Sequence, residues 1–147
     1  MFVPRLRPPT LIFLDANVFL YAAAWPHPHQ EPCAYVMRRV SDGSLASTTN
    51  TEVVQEILCV LIRRGFREEA LSLSSKVIAL FPDLLPVTRD DVTSARDLLK
   101  RYPGLRVRDA IHAASMIRNN VQTIVSLDPH FDAVSGIRRV EPRSFLP

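Results

Sequence analysis

Leu11-Ile12-Phe13-Leu14-Asp15-Ala16-Asn17-Val18-Phe19 sets an uninterrupted apolar run directly against an acid. Apolar residues without polar alternation read as a strand buried on both faces, the kind found in parallel sheets covered by helices. The same grammar returns near the other end, where Val121–Ser126 reads as a buried strand running into Leu127-Asp128-Pro129. Ligands of open parallel sheets bind beyond the strand carboxyl ends, near a topology switch. Asp15 and Asp128 therefore face one crevice if their strands are neighbours.

Between these strands the pattern is mostly helical. Val18–Ala24 is apolar and ends at Trp25-Pro26-His27-Pro28-His29, since proline restricts its predecessor and removes a backbone donor. A helix is expected over Cys33–Val40, with Ser41-Asp42-Gly43 as its exit and Leu45–Ser47 as a short strand. Thr51 can cap a helix over Glu52–Arg64 that Gly65 ends, with Val53, Ile57, Val60 and Leu61 on one face. Another helix covers Arg67–Leu80, followed by Pro82 and a strand near Leu85–Val87. Asp90 or Asp91 opens a helix carrying Val92, Ala95, Leu98 and Leu99. After Pro103-Gly104, Asp109–Arg118 forms a helix with Ile111, Ala114 and Ile117 along it, and a short strand at Arg138–Val140 closes the chain. Strands separated by helices predict an α/β, three-layer domain with a mostly parallel central sheet. At 147 residues one domain over 1–147 is expected, its core spanning about 11–141.

Composition narrows the function classes. The chain is 47% hydrophobic and 22% charged, which suits globular folding rather than disorder. The apolar stretch from Leu11 to Trp25 contains Asp15 and Asn17 and is too short to span a bilayer, so no membrane role is expected. No secretory signal pattern opens the sequence, and Cys33 and Cys59 lack a zinc-like spacing; together these point to the cytoplasm. The net charge is +3 and nearly all the basic residues are arginine, which suits phosphate contacts.

Clustered acids in a cleft oppose one another's ionisation, and a hard divalent cation reverses that problem. Carboxylate oxygens match Mg²⁺ or Mn²⁺, and such a cation can activate water, polarise a phosphate and stabilise the departing oxygen. Asp15, Glu56, Asp109 and Asp128 suit this chemistry: two follow strands, and two lie on helices that must pack against the sheet. Another metal-dependent phosphoryl hydrolase is the rival enzyme reading, weakened because Asp15-Ala16-Asn17 lacks a second acid.

Three segments carry a family resemblance: Phe13–Leu20, Glu56 within Glu52–Leu58, and Arg108-Asp109-Ala110-Ile111-His112-Ala113-Ala114. They resemble the PIN-domain pattern and look particularly like the VapC toxin ribonucleases; Ser126-Leu127-Asp128-Pro129-His130-Phe131 is similar to that family's fourth acidic motif. The resemblance implies a PIN-like fold and a Mg²⁺- or Mn²⁺-dependent endoribonuclease with one or two ions per site. It maps the catalytic and metal-binding acids onto Asp15, Glu56, Asp109 and Asp128. It further implies an RNA substrate, a small cognate antitoxin and a homodimer. The alternative is a PIN-like protein that binds RNA or regulates without turnover. His130 stands where many relatives carry another acid, and Asp132 is displaced beyond Phe131.

Around the acids, Asn17 and Ser126 are expected to orient carboxylates or water, with Asp132 in an outer shell. Arg108 and His130 are the candidate RNA contacts. Glu52 competes with Glu56 from one turn earlier but has a capping task open to it. His112 shares a helix face with Asp109 and reads as a satisfied core histidine. The helices at Cys33–Val40 and Glu52–Arg64 are the candidate partner surfaces.

Overall fold

The computed structural model describes residues 10–23 and 26–147. The proline-punctuated entry and the end of the first helix at Ala24 and Trp25 lie outside the described residues. The elements are β1 (Ile12–Leu14), α1 (Ala16–Ala23), α2 (Gln30–Ser41), β2 (Ser47–Thr48), α3 (Thr51–Arg63), α4 (Arg67–Leu80), α5 (Arg89–Arg101), α6 (Val107–Arg118), β3 (Thr123–Val125) and β4 (Arg138–Val140). Short 3-10 turns follow at Pro129–Ala133 and Pro142–Phe145.

The sheet order is β2-β1-β3-β4 and every described pairing is parallel. From β1 the chain crosses to β2 on one side, while β3 leads to β4 on the other, so the switch point lies between β1 and β3. The crevice expected of an open α/β sheet opens there. Phe13, Leu14, Ile124 and Val125 are wholly buried, which explains why neither strand alternates in polarity. Truncating Leu14 to alanine would cost about 2–5 kcal/mol.

The helices deliver their apolar faces to this sheet. α3 buries Val53 and Ile57, and α6 buries Ala110, Ala113, Ala114 and Met116. The small alanines let α6 approach closely, whereas Ile117, expected inward, is half exposed. Cys33 and Val36 of α2 are fully buried, so that helix spends its strongest apolar positions on the core rather than on a partner. No described helix is long and apolar enough to cross a membrane.

Three local expectations change. Leu85–Val87 is not a regular strand: Leu85 makes an isolated parallel bridge with Asn50, and beyond it the facing chain has entered α3, so the Val87 N–H donates to the Thr51 hydroxyl instead of a ladder carbonyl. The cap of α3 is Asn50, whose side chain accepts the Val53 N–H at 2.9 Å; Thr51 instead accepts the Val87 N–H. The cap of α5 is Thr88, in a reciprocal capping box with Asp91. Asp91 is thereby drawn inward, where the Arg118 guanidinium grips it at 2.6 and 3.0 Å.

Candidate active site

Parallel register sets Leu14 opposite Val125, so Asp15 and Ser126 leave the sheet side by side. The Asp15 N–H donates to the Val125 carbonyl at 3.1 Å. One Asp15 carboxylate oxygen accepts the Ala16 N–H at 2.8 Å; the other accepts the Ser126 hydroxyl at 2.6 Å and the Asn17 amide at 3.2 Å. Asn17 in turn accepts the Leu127 N–H, and the Ser126 hydroxyl accepts the Asp128 N–H at 3.0 Å. Short side chains thus stitch the two strand ends together and aim both carboxylates. Burial pushes the Asp15 pKa up, aided by the charge of Glu56; His112, Ser126 and the Ala16 N–H pull against it.

Glu56 enters from α3 and His112 from α6. The His112 Nε2 lies 3.3 Å from Glu56 Oε2 and 3.8 Å from Asp15 Oδ1, and its Nδ1 lies 3.2 Å from the Asn50 side-chain nitrogen. The ring is completely buried. Burial opposes an imidazolium here, but the Glu56 hydrogen bond and the charges of Asp15, Glu56 and Asp109 outweigh it and raise the pKa above its ordinary value. His112 is a core histidine, as its helix position predicts, and it also touches two of the acids.

A second group adjoins the first. Asp109, Asp128 and His130 place potential ligand atoms within 4.8 Å of one another, as do Asp15, Glu56 and His112. Asp109 is buried and its Oδ2 has no hydrogen-bond partner. Burial and the adjacent charges of Asp128 and Asp15 push its pKa up to about 7. Asp128 moves the other way: burial opposes its charge, but the His130 backbone and side chain, Asp109 and Arg106 favour it. One proton on Asp109 relieves the repulsion between the two, and a bound cation would do the same.

All four predicted acids therefore line the crevice at the switch point. Asp132 lies one step out, paired with Arg139 at 2.8 and 3.0 Å, while Arg139 also donates to the Ser126 carbonyl. Arg108 turns to Glu52 at 3.5 Å, and that pairing occupies the rival acid. Arg106 also reaches the cleft: its guanidinium lies 3.1 Å from Asp128 and 3.7 Å from Asp109. The signal for Arg106 and His112 is spacing, since each stands three residues from Asp109 and shares its face. Asn50 was signalled by its residue type, among the best N-caps.

Comparison with known proteins gives a consistent neighbourhood. A family model described as the PIN domain matches residues 12–137. The chain is 32% identical over 130 residues to Ribonuclease VapC13 of Mycobacterium tuberculosis, covering 88% of this chain and 99% of that one. It is 31% identical over 137 residues to Ribonuclease VapC7 of the same organism, covering 90% and 92%. Among solved structures, the Mycobacterium tuberculosis VapC20 toxin, described as cleaving the sarcin-ricin loop, aligns with a TM-score of 0.70 at 19% identity, covering 84% of this chain and 95% of that one. VapBC2 from Rickettsia felis, bound to a promoter DNA fragment, aligns at 0.68 and 12% identity, covering 90% and 98%.

Proposed function

This chain belongs to the PIN-domain family, and from that premise we propose that it is an endoribonuclease of the VapC kind, the toxin of a type II toxin–antitoxin pair, using Mg²⁺ or Mn²⁺. The observation that carries this reading is the convergence of Asp15, Glu56, Asp109 and Asp128 from four separate elements on one crevice. The buried, unbonded Asp109 oxygen fits a cation ligand, and the all-oxygen donor set of the acids fits a hard ion. Asp15, Glu56, Asp109 and Asp128 would hold it. Bound there, such an ion would supply Lewis-acid assistance to the phosphate and ease deprotonation of a neighbouring water.

The chain's own residues supply placement. Ser126, Asn17 and the Ala16 N–H fix the Asp15 carboxylate before any ligand arrives, so little reorganisation is left for the reaction. Glu56 is the partly exposed acid of its group and stands where it can orient an attacking water. Arg106, largely exposed, gives the rim a cationic edge that can receive a phosphodiester, with the His130 ring beside it.

The RNase activity rests on relatives named ribonucleases at over 30% identity across nearly their whole length, and these do not favour an inactive RNA-binding protein. RNA incubated with the purified protein and Mg²⁺ or Mn²⁺ should be cleaved, with cleavage abolished by EDTA and by Asp15→Asn. RNA binding without metal-dependent cleavage would overturn the reading.

A small antitoxin is the proposed partner, and a second copy of the chain completes a homodimer. A groove of about 510 Å³ lined by Asn17, Leu20, Tyr21, Val60, Leu61 and Arg64 adjoins the acids through Asn17 and offers an apolar seat for an antitoxin segment. Leu71 and Ile78, both half exposed and two turns apart on α4, offer apolar surface to a second copy.

A further inference from the structure

We propose that Asn50 is a positioning residue that locks His112 in the tautomer with its proton on Nε2, making His112 a fixed donor to Glu56 and Asp15 rather than a metal ligand. This rests on the reading of those acids as the metal site, and it assigns a role to two buried residues outside the set of four acids.

The chain of constraint begins at the backbone. The Val53 N–H is one of the donors that the first turn of α3 leaves unpaired, and it donates to Asn50 Oδ1 at 2.9 Å. That bond decides which way the Asn50 amide faces, and its nitrogen, a donor only, is left 3.2 Å from His112 Nδ1. Asn50 and His112 are both wholly buried, so no solvent can stand in as an alternative partner. A proton on Nδ1 would set two donors against each other in a dry interior, at the cost of an unsatisfied buried group. In the neutral ring the proton must therefore sit on Nε2, which faces Glu56 Oε2 at 3.3 Å and Asp15 Oδ1 at 3.8 Å.

Two consequences follow. Nε2 has no lone pair for a cation, although its position among the acids would suit a ligand. To ligate, His112 would have to move its proton to Nδ1, which requires turning the Asn50 amide and breaking the cap of α3. Second, the donated proton ties down one Glu56 oxygen on an otherwise mobile side chain and so sets the direction in which the carboxylate meets water or ion. The start of α3 and the aim of its acid one turn later are thus coupled through a single amide.

The test is a long-range ¹H–¹⁵N correlation spectrum of ¹⁵N-histidine-labelled protein, metal-free and at alkaline pH so that the rings are neutral. His112→Gln assigns the resonance. Wild type should show His112 with a protonated Nε2 and a bare Nδ1, unchanged when Mg²⁺ is added. Asn50→Asp preserves a good N-cap but presents only acceptors, so Nδ1 should carry a proton as well as Nε2, with Mg²⁺ affinity by calorimetry or cleavage rate falling about 10–100-fold. Asn50→Ser keeps the cap and removes the amide donor; it should show a mixture of tautomers and a smaller loss. A protonated Nδ1 in the neutral wild-type ring overturns the proposal. So does an Asn50→Asp protein whose ring protonation, Mg²⁺ affinity and cleavage all stay within about twofold of wild type. If Asn50→Asp does not fold, the wild-type spectrum and Asn50→Ser decide. Failure to bind any divalent cation would sink the metal-site reading separately, because the tautomer is read without metal.

Discussion

The Arg106 guanidinium donates to Asp128 at 3.1 Å, so a positive charge from the cap of α6 already stands against one of the proposed metal ligands. Arg106 is largely exposed, and an exposed pair of this kind contributes about 1 kcal/mol or less. Arg106→Gln should therefore tighten Mg²⁺ binding by up to about fivefold, because a competing charge is removed. The same change should weaken RNA binding, because a phosphate contact is lost. Calorimetry with Mg²⁺ and a binding assay with uncleaved RNA in EDTA separate the two effects; a fall in both affinities would refute the competition.

Asp109 makes metal binding depend on pH. Its carboxyl holds a proton up to about pH 7, well above its ordinary value of 3.8, so protons must leave before a cation can bind. Mg²⁺ affinity should rise from pH 5.5 to pH 8, and Asp109→Asn should flatten that rise as well as weaken binding. Linkage fixes a second sign. A carboxyl whose pKa is raised by folding favours the folded state less as pH climbs from its unfolded to its folded value. The metal-free protein should accordingly lose thermal stability between about pH 4 and pH 7, and Mg²⁺ should restore it at the upper end. Asp128, whose pKa is lowered, acts in the opposite sense below pH 4, so the two windows do not overlap.

Ser126 serves both strand ends with one hydroxyl, donating to Asp15 and accepting from Asp128. Ser126→Ala leaves a buried carboxylate oxygen short of a donor. It should lower cleavage by about 10–100-fold and stability by about 1–2 kcal/mol. Threonine, which keeps the hydroxyl, should recover most of the rate. Equal loss in alanine and threonine variants would point to packing instead.

Far from the crevice, Arg118 clamps Asp91, which is almost fully buried and also closes the cap of α5. Arg118→Ala strands that charge. The variant should unfold at a lower urea concentration than wild type, because the buried Asp91 charge is left without its partner. Specific activity of the folded fraction should not change.

The groove beside Asn17 gives a partner test. Val60→Asp puts a charge among Leu20, Tyr21 and Leu61. It should abolish inhibition by the co-expressed product of an adjacent small gene while leaving cleavage by the free protein intact. Undiminished inhibition would move the partner to another face.

Much of this was readable from residue order, for reasons specific to each position. Leu11–Leu14 and Val121–Ser126 announced strands because Phe13, Leu14, Ile124 and Val125 are buried on both faces, which suppresses alternation. Asp15 and Asp128 stood out because a charge at the end of an apolar run needs a partner, whereas Glu56 and Asp109 were marked by their helix positions and by the family resemblance. Asn50 carried a capping signal, but the adjacent Thr51 carries one too, and it is the bond from the Val53 N–H to Asn50 that decides between them. Arg106 was easy to pass over beside Arg108, yet on a helix it is the residue three positions away that converges on Asp109. The expected strand at Leu85–Val87 failed because the chain opposite it turns into α3 at Thr51, leaving no ladder beyond Leu85.

The hydrogen bond from Ser126 to Asp15 spans 111 positions of the chain. During synthesis, a polypeptide still lacking β3 holds Asp15 without the serine that aims it and without Asp128 beside it. The acidic cluster cannot assemble until β3 has been made and has paired with β1, a strand from near the other end of the sequence. Long-range parallel pairing of this sort is also slow to form. Through most of its synthesis the chain is therefore without the complete acidic cluster, whose parts come from opposite ends of the sequence.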